Sequence, residues 1–243
     1  MSNHSHIVAT DPNGTYPNFL RDFHALLARS VNAHHGRWEH FWDSAQTSVV
    51  LLEDSSAQLE KLVYTLANPV GLVEKAHQWP GATSIIETTN KTTLVVARPP
   101  LFFREDLGGG SMPDAVTLVF EPPPAFAAMK RDAYAELVRK RVAEEEGKAA
   151  SKRAETRSRV LGPKAVLKQH WSERPRDAEP RRNLSPTVAC RDKWRRMECL
   201  LVNRAFRTLY RKAFEAFRNG LPAVFPLGTW RMRWCAAIEV GTG

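Results

Sequence analysis

Little in this chain points to a membrane or an oxidising compartment. Its cysteines are three in 243 residues, Cys190, Cys199 and Cys235. An odd, scattered set excludes a disulfide framework and predicts reduced thiols in a cytoplasmic protein. No apolar run approaches the ~18 residues that a membrane-spanning helix needs, so no membrane partner is expected. The start, Met1-Ser2-Asn3-His4, has no basic cluster and no apolar stretch, and does not read as a signal peptide. Gly108-Gly109-Gly110 is followed by neither Lys-Ser nor Lys-Thr. That excludes a phosphate-binding P-loop and leaves a flexible turn. No internal repeat is visible.

What is present is ordinary globular material with an uneven charge. Hydrophobic residues make up 43% and charged residues 25% of the chain, enough for a real core. Residues 1–124 hold 8 Lys/Arg against 13 Asp/Glu, a net of −5. Residues 125–220 hold 25 against 12, a net of +13, and residues 221–243 add +1. Positive charge concentrated in one region favours a polyanionic partner, because neutralising phosphates releases counterions. The plainer reading is a solvated helical surface.

Periodicity places the elements. His4 to Thr10 ends in β-branched residues and predicts a strand, followed by the turn Asp11-Pro12-Asn13-Gly14. Phe19, Leu20, Phe23, Leu26, Leu27 and Val31 predict a helix over 17–34, with Pro17 in its first turn and Gly36 past its end. An aromatic-rich loop spans 36–45, and a strand is expected over 47–52. Leu59, Leu62, Val63 and Leu66 make the stripe of a helix over 56–68 that Pro69 ends. Residues 92–97 and 116–120 read as β-like parts of an insert. A long charged helix is expected over 126–158 and a linker over 172–189. An amphipathic helix over 191–219 carries Trp194, Met197, Leu201, Ala205, Phe206, Tyr210, Phe214 and Phe217 on an apolar face. Arg204, Arg207, Arg211 and Arg218 form a basic stripe on it. The segment 223–234 is expected to add a strand.

Two short motifs carry chemistry. Residues i and i+2 of a strand share a face, so His4 and His6 can ligate one metal, with Ser5 turned away. Alone, His-x-His also fits an exposed terminus. Tyr64 and Asn68 are four apart on a helix and share a face. A phenol needs a base, a metal or a positive field to act as a nucleophile. Asn68 could offer its amide oxygen to the same metal, which would orient a scissile phosphate. Taken singly, Tyr64 reads equally as a core aromatic and Asn68 as the helix terminus before Pro69.

Together the motifs resemble those of the single-tyrosine HUH transposases, the insertion-sequence-200-like group, and within it the bacterial REP-associated tyrosine transposases. The metal-binding strand of that branch reads Met-x-Asn-His-x-His, as Met1 to His6 do here. Its tyrosine helix reads Tyr-Ile-x-x-Asn-Pro-Val, matched by Tyr64 to Val70 with Thr65 in place of Ile. Gly36-Arg37-Trp38-Glu39-His40-Phe41-Trp42 is similar to the Gly-Arg and Trp/Phe-rich stretch between them. The resemblance spans about residues 1–80.

It implies an α+β fold with a ferredoxin-like palm. It also implies His4, His6 and Asn68 as ligands of Mg²⁺ or Mn²⁺, and Tyr64 as the nucleophile on single-stranded or hairpin DNA. The reaction implied leaves a 5′-phosphotyrosine and a free 3′-hydroxyl. Such relatives often work as dimers, so a homodimer is a natural expectation, with a bacterial cytoplasm and its nucleoid as the setting. The family normally places a strand, a helix and a strand before the histidines. This chain starts at the motif, which predicts a truncated palm at 1–80 and weak or absent cleavage. Beyond it the reading divides the chain into a β-like insert at 81–124, a basic helical region at 125–220 and a tail at 221–243.

Further DNA contacts are assigned to Arg21, Arg29 and Arg37 near the palm, to Arg204, Arg207 and Arg211, and to Trp38 or Trp42 as a stacking platform. Two other functions compete. One is a non-catalytic DNA-binding protein derived from a transposase. The other is a helical protein whose 191–219 segment packs on a partner.

Overall fold

A computed structural model describes residues 4–42, 47–90, 93–98, 113–170 and 186–241. Gly108-Gly109-Gly110 and residues 172–185 of the expected linker lie outside the described residues. The fold mixes α and β, with helices dominant and three two-stranded sheets among the described residues. The chain divides into two compact units, each built from two separate stretches. Residues 1–10 join 55–184, and residues 11–54 join 185–243.

The first unit is organised around two helices. Helix α2 (Ser55–Ala67) buries Ala57, Val63 and Leu66, and Pro69 turns the chain into a 3₁₀ turn over Asn68–Gly71. Strands β2 (Thr93–Ala97) and β3 (Ala115–Val119) pair antiparallel, with Leu94 opposite Leu118 and Val96 opposite Val116. Every residue of both strands is exposed. Helix α4 (Arg131–Thr156) packs against α2 and against the short helix α3 (Ile85–Thr89). It is shorter at its start than expected from the sequence, because the prolines that precede it hold Pro124–Phe126 in a separate 3₁₀ turn. Helix α5 (Pro163–Lys168) closes the unit.

The core is Val63, Leu66, Val70, Ala76, Ile85, Tyr134, Val138 and Val142. Side chains of α4 also tie down loose backbone ends. Arg131 donates to the carbonyls of Glu87 and Thr88, and Arg139 to that of Thr89, which caps the C-terminal end of α3. Arg153 donates to the carbonyl of Val70 at 3.0 Å. The buried carboxylate of Glu146 accepts from the Ala76 amide at 2.8 Å and from Lys75 Nζ at 3.0 Å. Burial pushes the Tyr134 phenol up to about 12.

The second unit begins with α1 (Tyr16–His35). The carboxylate of Asp11 accepts from the amides of Thr15 and Tyr16, and those bonds hold it below its ordinary pKa. Pro17 lies in the first turn, and Gly36 closes the helix in the left-handed conformation, φ 61°. Trp42 folds back, its indole donating to the carbonyl of His24 at 2.8 Å.

The strand expected over 47–52 shrinks to β1 (Leu51–Leu52). It pairs in parallel with β4 (Val188–Ala189), so the end of the expected linker is structured instead, with Val188 buried. Helix α6 (Lys193–Arg218) starts on an N-cap, Asp192, whose carboxylate accepts from the Arg195 amide at 2.9 Å. After it come β5 (Val224–Phe225), α7 (Arg231–Ala236) and β6 (Glu239–Val240). Strand thus occupies only two residues of the segment 223–234, and part of the rest is helix. Phe225 is fully buried, with Tyr210 and Phe217 edge-on to it at 5.5 and 6.2 Å.

Candidate active site

The two motifs meet in the first unit. The rings of His4 and His6 stand edge to face with centroids 4.9 Å apart. The ring of His6 stands edge to face with that of Tyr64, centroids 5.1 Å apart. Helix α2 positions the phenol. Its buried face uses Val63 and Leu66, which turns Tyr64 outward, half exposed at 51%. The Tyr64 hydroxyl has no hydrogen-bond partner among the described residues. The core aromatic of this unit is Tyr134 instead, 1% exposed.

The strand expected at His4 to Thr10 is absent: these residues lie in neither helix nor strand. A β-branched run makes a strand only when another strand accepts its hydrogen bonds, and no such partner stands beside it among the described residues. The histidines therefore reach one another and Tyr64 through ring contacts rather than through a shared sheet face.

Lys61, one turn before Tyr64, escaped the sequence reading. Its Nζ lies 5.7 Å from the centre of the Tyr64 ring. The i, i+3 spacing on one helix is the signal that could have found it. Partial burial, then the charges of His4 and Lys61, hold His6 below the ordinary histidine pKa. A lowered value keeps its imidazole neutral at neutral pH, the form that binds metals.

Among the described residues no three His, Cys, Asp or Glu side chains cluster as a metal site would require. Asn68, exposed and first in the 3₁₀ turn after α2, carries an amide oxygen just past the end of the Tyr64 helix.

The other assigned residues belong to the second unit, not to the one that holds the histidines and Tyr64. Arg21 pairs with Asp22 at 2.8 Å, and Arg37 with Glu39 at 2.8 Å. Arg29 donates to the carbonyl of Ala25, one turn back. Trp38 is 97% exposed, as a stacking platform must be, whereas Trp42 is committed to α1. Arg204, Arg207 and Arg211 lie exposed along α6. The apolar face expected on that helix splits. Tyr210 and Phe217 pack on Phe225 and Phe214 stacks on Tyr210, while Trp194, Met197 and Leu201 stay exposed. Among the described residues no helix is long and apolar enough to cross a membrane. No family model matches the chain, and no curated protein or solved structure is significantly similar to it.

Proposed function

We propose that this chain is a single-strand DNA endonuclease and strand transferase of the HUH transposase type, with Tyr64 as its nucleophile. The observation that carries the reading is the contact of the His4, His6 and Tyr64 rings, which brings residues sixty positions apart onto one exposed spot. The Tyr64 phenol oxygen attacks a DNA phosphorus and gives up its proton to water. The bond to the 3′ oxygen breaks, that oxygen takes a proton from water and leaves as a free 3′-hydroxyl, and a 5′-phosphotyrosine ester forms. That ester keeps the energy of the broken linkage, so a second 3′-hydroxyl can reverse the step onto another strand.

His4 and His6, with the Asn68 amide oxygen, would hold one Mg²⁺ or Mn²⁺. Imidazole nitrogens and an amide oxygen are ligands such an ion accepts, and phosphate oxygens would complete its shell. When bound, the ion supplies positive charge beside the scissile phosphate. The ammonium of Lys61 adds charge on the same side of α2 and favours an anion there. In this reading the first unit carries the histidine and tyrosine parts of a ferredoxin-like palm. The protein works on single-stranded or hairpin DNA in the bacterial nucleoid, and a homodimer would follow the family habit.

The test uses the whole chain, a 3′-labelled pool of single strands of randomised sequence with hairpins, and Mn²⁺ or Mg²⁺. The expected result is a protein–DNA adduct of low yield that survives denaturation, requires the metal and disappears in Tyr64→Phe. An adduct undiminished in that variant would sink the tyrosine assignment. No adduct at all would favour the second reading, a non-catalytic DNA-binding protein, which the bare basic stripe of α6 supports.

A further inference from the structure

The basic stripe on α6 is a regular row of like charges. Arg204, Arg207, Arg211 and Arg218 fall within about 60° of one another around the helix and span about 21 Å along it. All four are exposed. None pairs with a carboxylate among the described residues. Even Glu215, one turn from Arg211 and Arg218, pairs with neither. On α4, by contrast, Arg139, Arg141 and Lys148 each hold a glutamate three residues away. A row of four guanidinium groups left without counter-charge on a straight rod raises the local positive potential, and an extended polyanion is what it complements.

We infer that this face of α6 binds the sugar-phosphate backbone of duplex DNA, without reading its sequence. Two features favour the duplex over a single strand. Single strands are held by stacking bases on exposed aromatic rings as well as by charge. Along the stripe, Tyr210 and Phe217 pack on Phe225 and Phe214 stacks on Tyr210, while the exposed Trp194 stands about 15 Å before Arg204 along the helix. The stripe is also rigid and regular, which matches a rigid, evenly charged helix better than a flexible chain. The inference takes from the proposed function only the class of partner. It needs neither Tyr64 nor a metal, and it gives the second unit a role of its own.

The experiment is equilibrium binding of the full chain, in the Tyr64→Phe background, to a fluorescent 20-base-pair duplex of mixed sequence and to each of its single strands. Duplex affinity should exceed that for either strand. Four phosphate contacts predict a slope of about −3.6 in log affinity against log salt, roughly a 150-fold loss between 50 and 200 mM. Changing all four residues, Arg204→Gln, Arg207→Gln, Arg211→Gln and Arg218→Gln, should remove that part of the slope, about one unit per residue. The matching four Arg→Lys changes should restore most of it, which separates lost charge from a misfolded helix. Equal or tighter binding of the single strands would overturn the inference. So would a four-Gln variant that keeps the parent slope, or a parent with no duplex binding at all. None of these results bears on the covalent adduct, so the two proposals fail separately.

Discussion

Helices α4 and α6 are both 26 residues long, and both are rich in arginine and lysine. They use that charge in opposite ways. In α4 seven basic residues face six acidic ones, and in α6 eight face two. Helix α4 buries Tyr134, Ala135, Val138, Val142 and Glu146, and its arginines cap carbonyls or pair with glutamates. Helix α6 buries only Ala213, and its arginine stripe meets no carboxylate among the described residues. A cation with a local partner belongs to the fold. A row of cations without partners adds little to stability and is free to meet something else. Composition already separates a nearly balanced α4 from a basic α6, and the environment of the side chains shows which cations are paired.

The comparison breaks first where packing is densest. Leu66, 1% exposed beneath α4, should cost about 2–5 kcal/mol when changed to Ala. Leu201, 60% exposed on α6, should cost less than about 0.5 kcal/mol for the same change. Chemical denaturation of both variants measures the contrast, and equal losses would show that the α6 face is covered. Glu146→Ala sharpens the α4 side. It leaves the Ala76 amide without its acceptor, and a drop of about 1–3 kcal/mol is expected in the same measurement. Little of that comes from Lys75, which is half exposed. A smaller effect than that of Leu66 or Glu146 tests the start of α6. Asp192→Ala removes the N-cap and should cost about 1 kcal/mol, with helical circular dichroism falling slightly before the main transition.

The parts legible in the sequence were those set by neighbours along the chain. The helix expected over 17–34 is found at Tyr16–His35, and the one over 191–219 at Lys193–Arg218. Apolar spacing, a proline near the start and a glycine at the end are local signals that need no tertiary context. The β-like pair expected in the insert forms a hairpin for the same reason, since its alternation and its pairing are close in the chain. The strand expected at His4 to Thr10 is not formed, and those over 47–52 and 223–234 shrank to two residues each. A strand depends on a partner, and β1 and β5 found theirs at residues 188–189 and 239–240. No local pattern announces such a match.

For the candidate site, residue types and spacings were enough to single out His4, His6, Tyr64 and Asn68. Covalent order alone placed Tyr64 and Asn68 one turn apart and His4 and His6 two residues apart. Whether a phenol faces solvent or the core is a different matter, because Tyr64 and Tyr134 both sit among hydrophobic residues in the sequence. Packing of α2 on α4 decided it, burying Tyr134 and leaving Tyr64 beside His6 and Lys61. Helix positions and the sign of the charge follow from short-range sterics and composition. Which aromatic is core, which cations stay unpaired and which rings touch are outcomes of long-range burial, where one side chain can fill a space only if another does not.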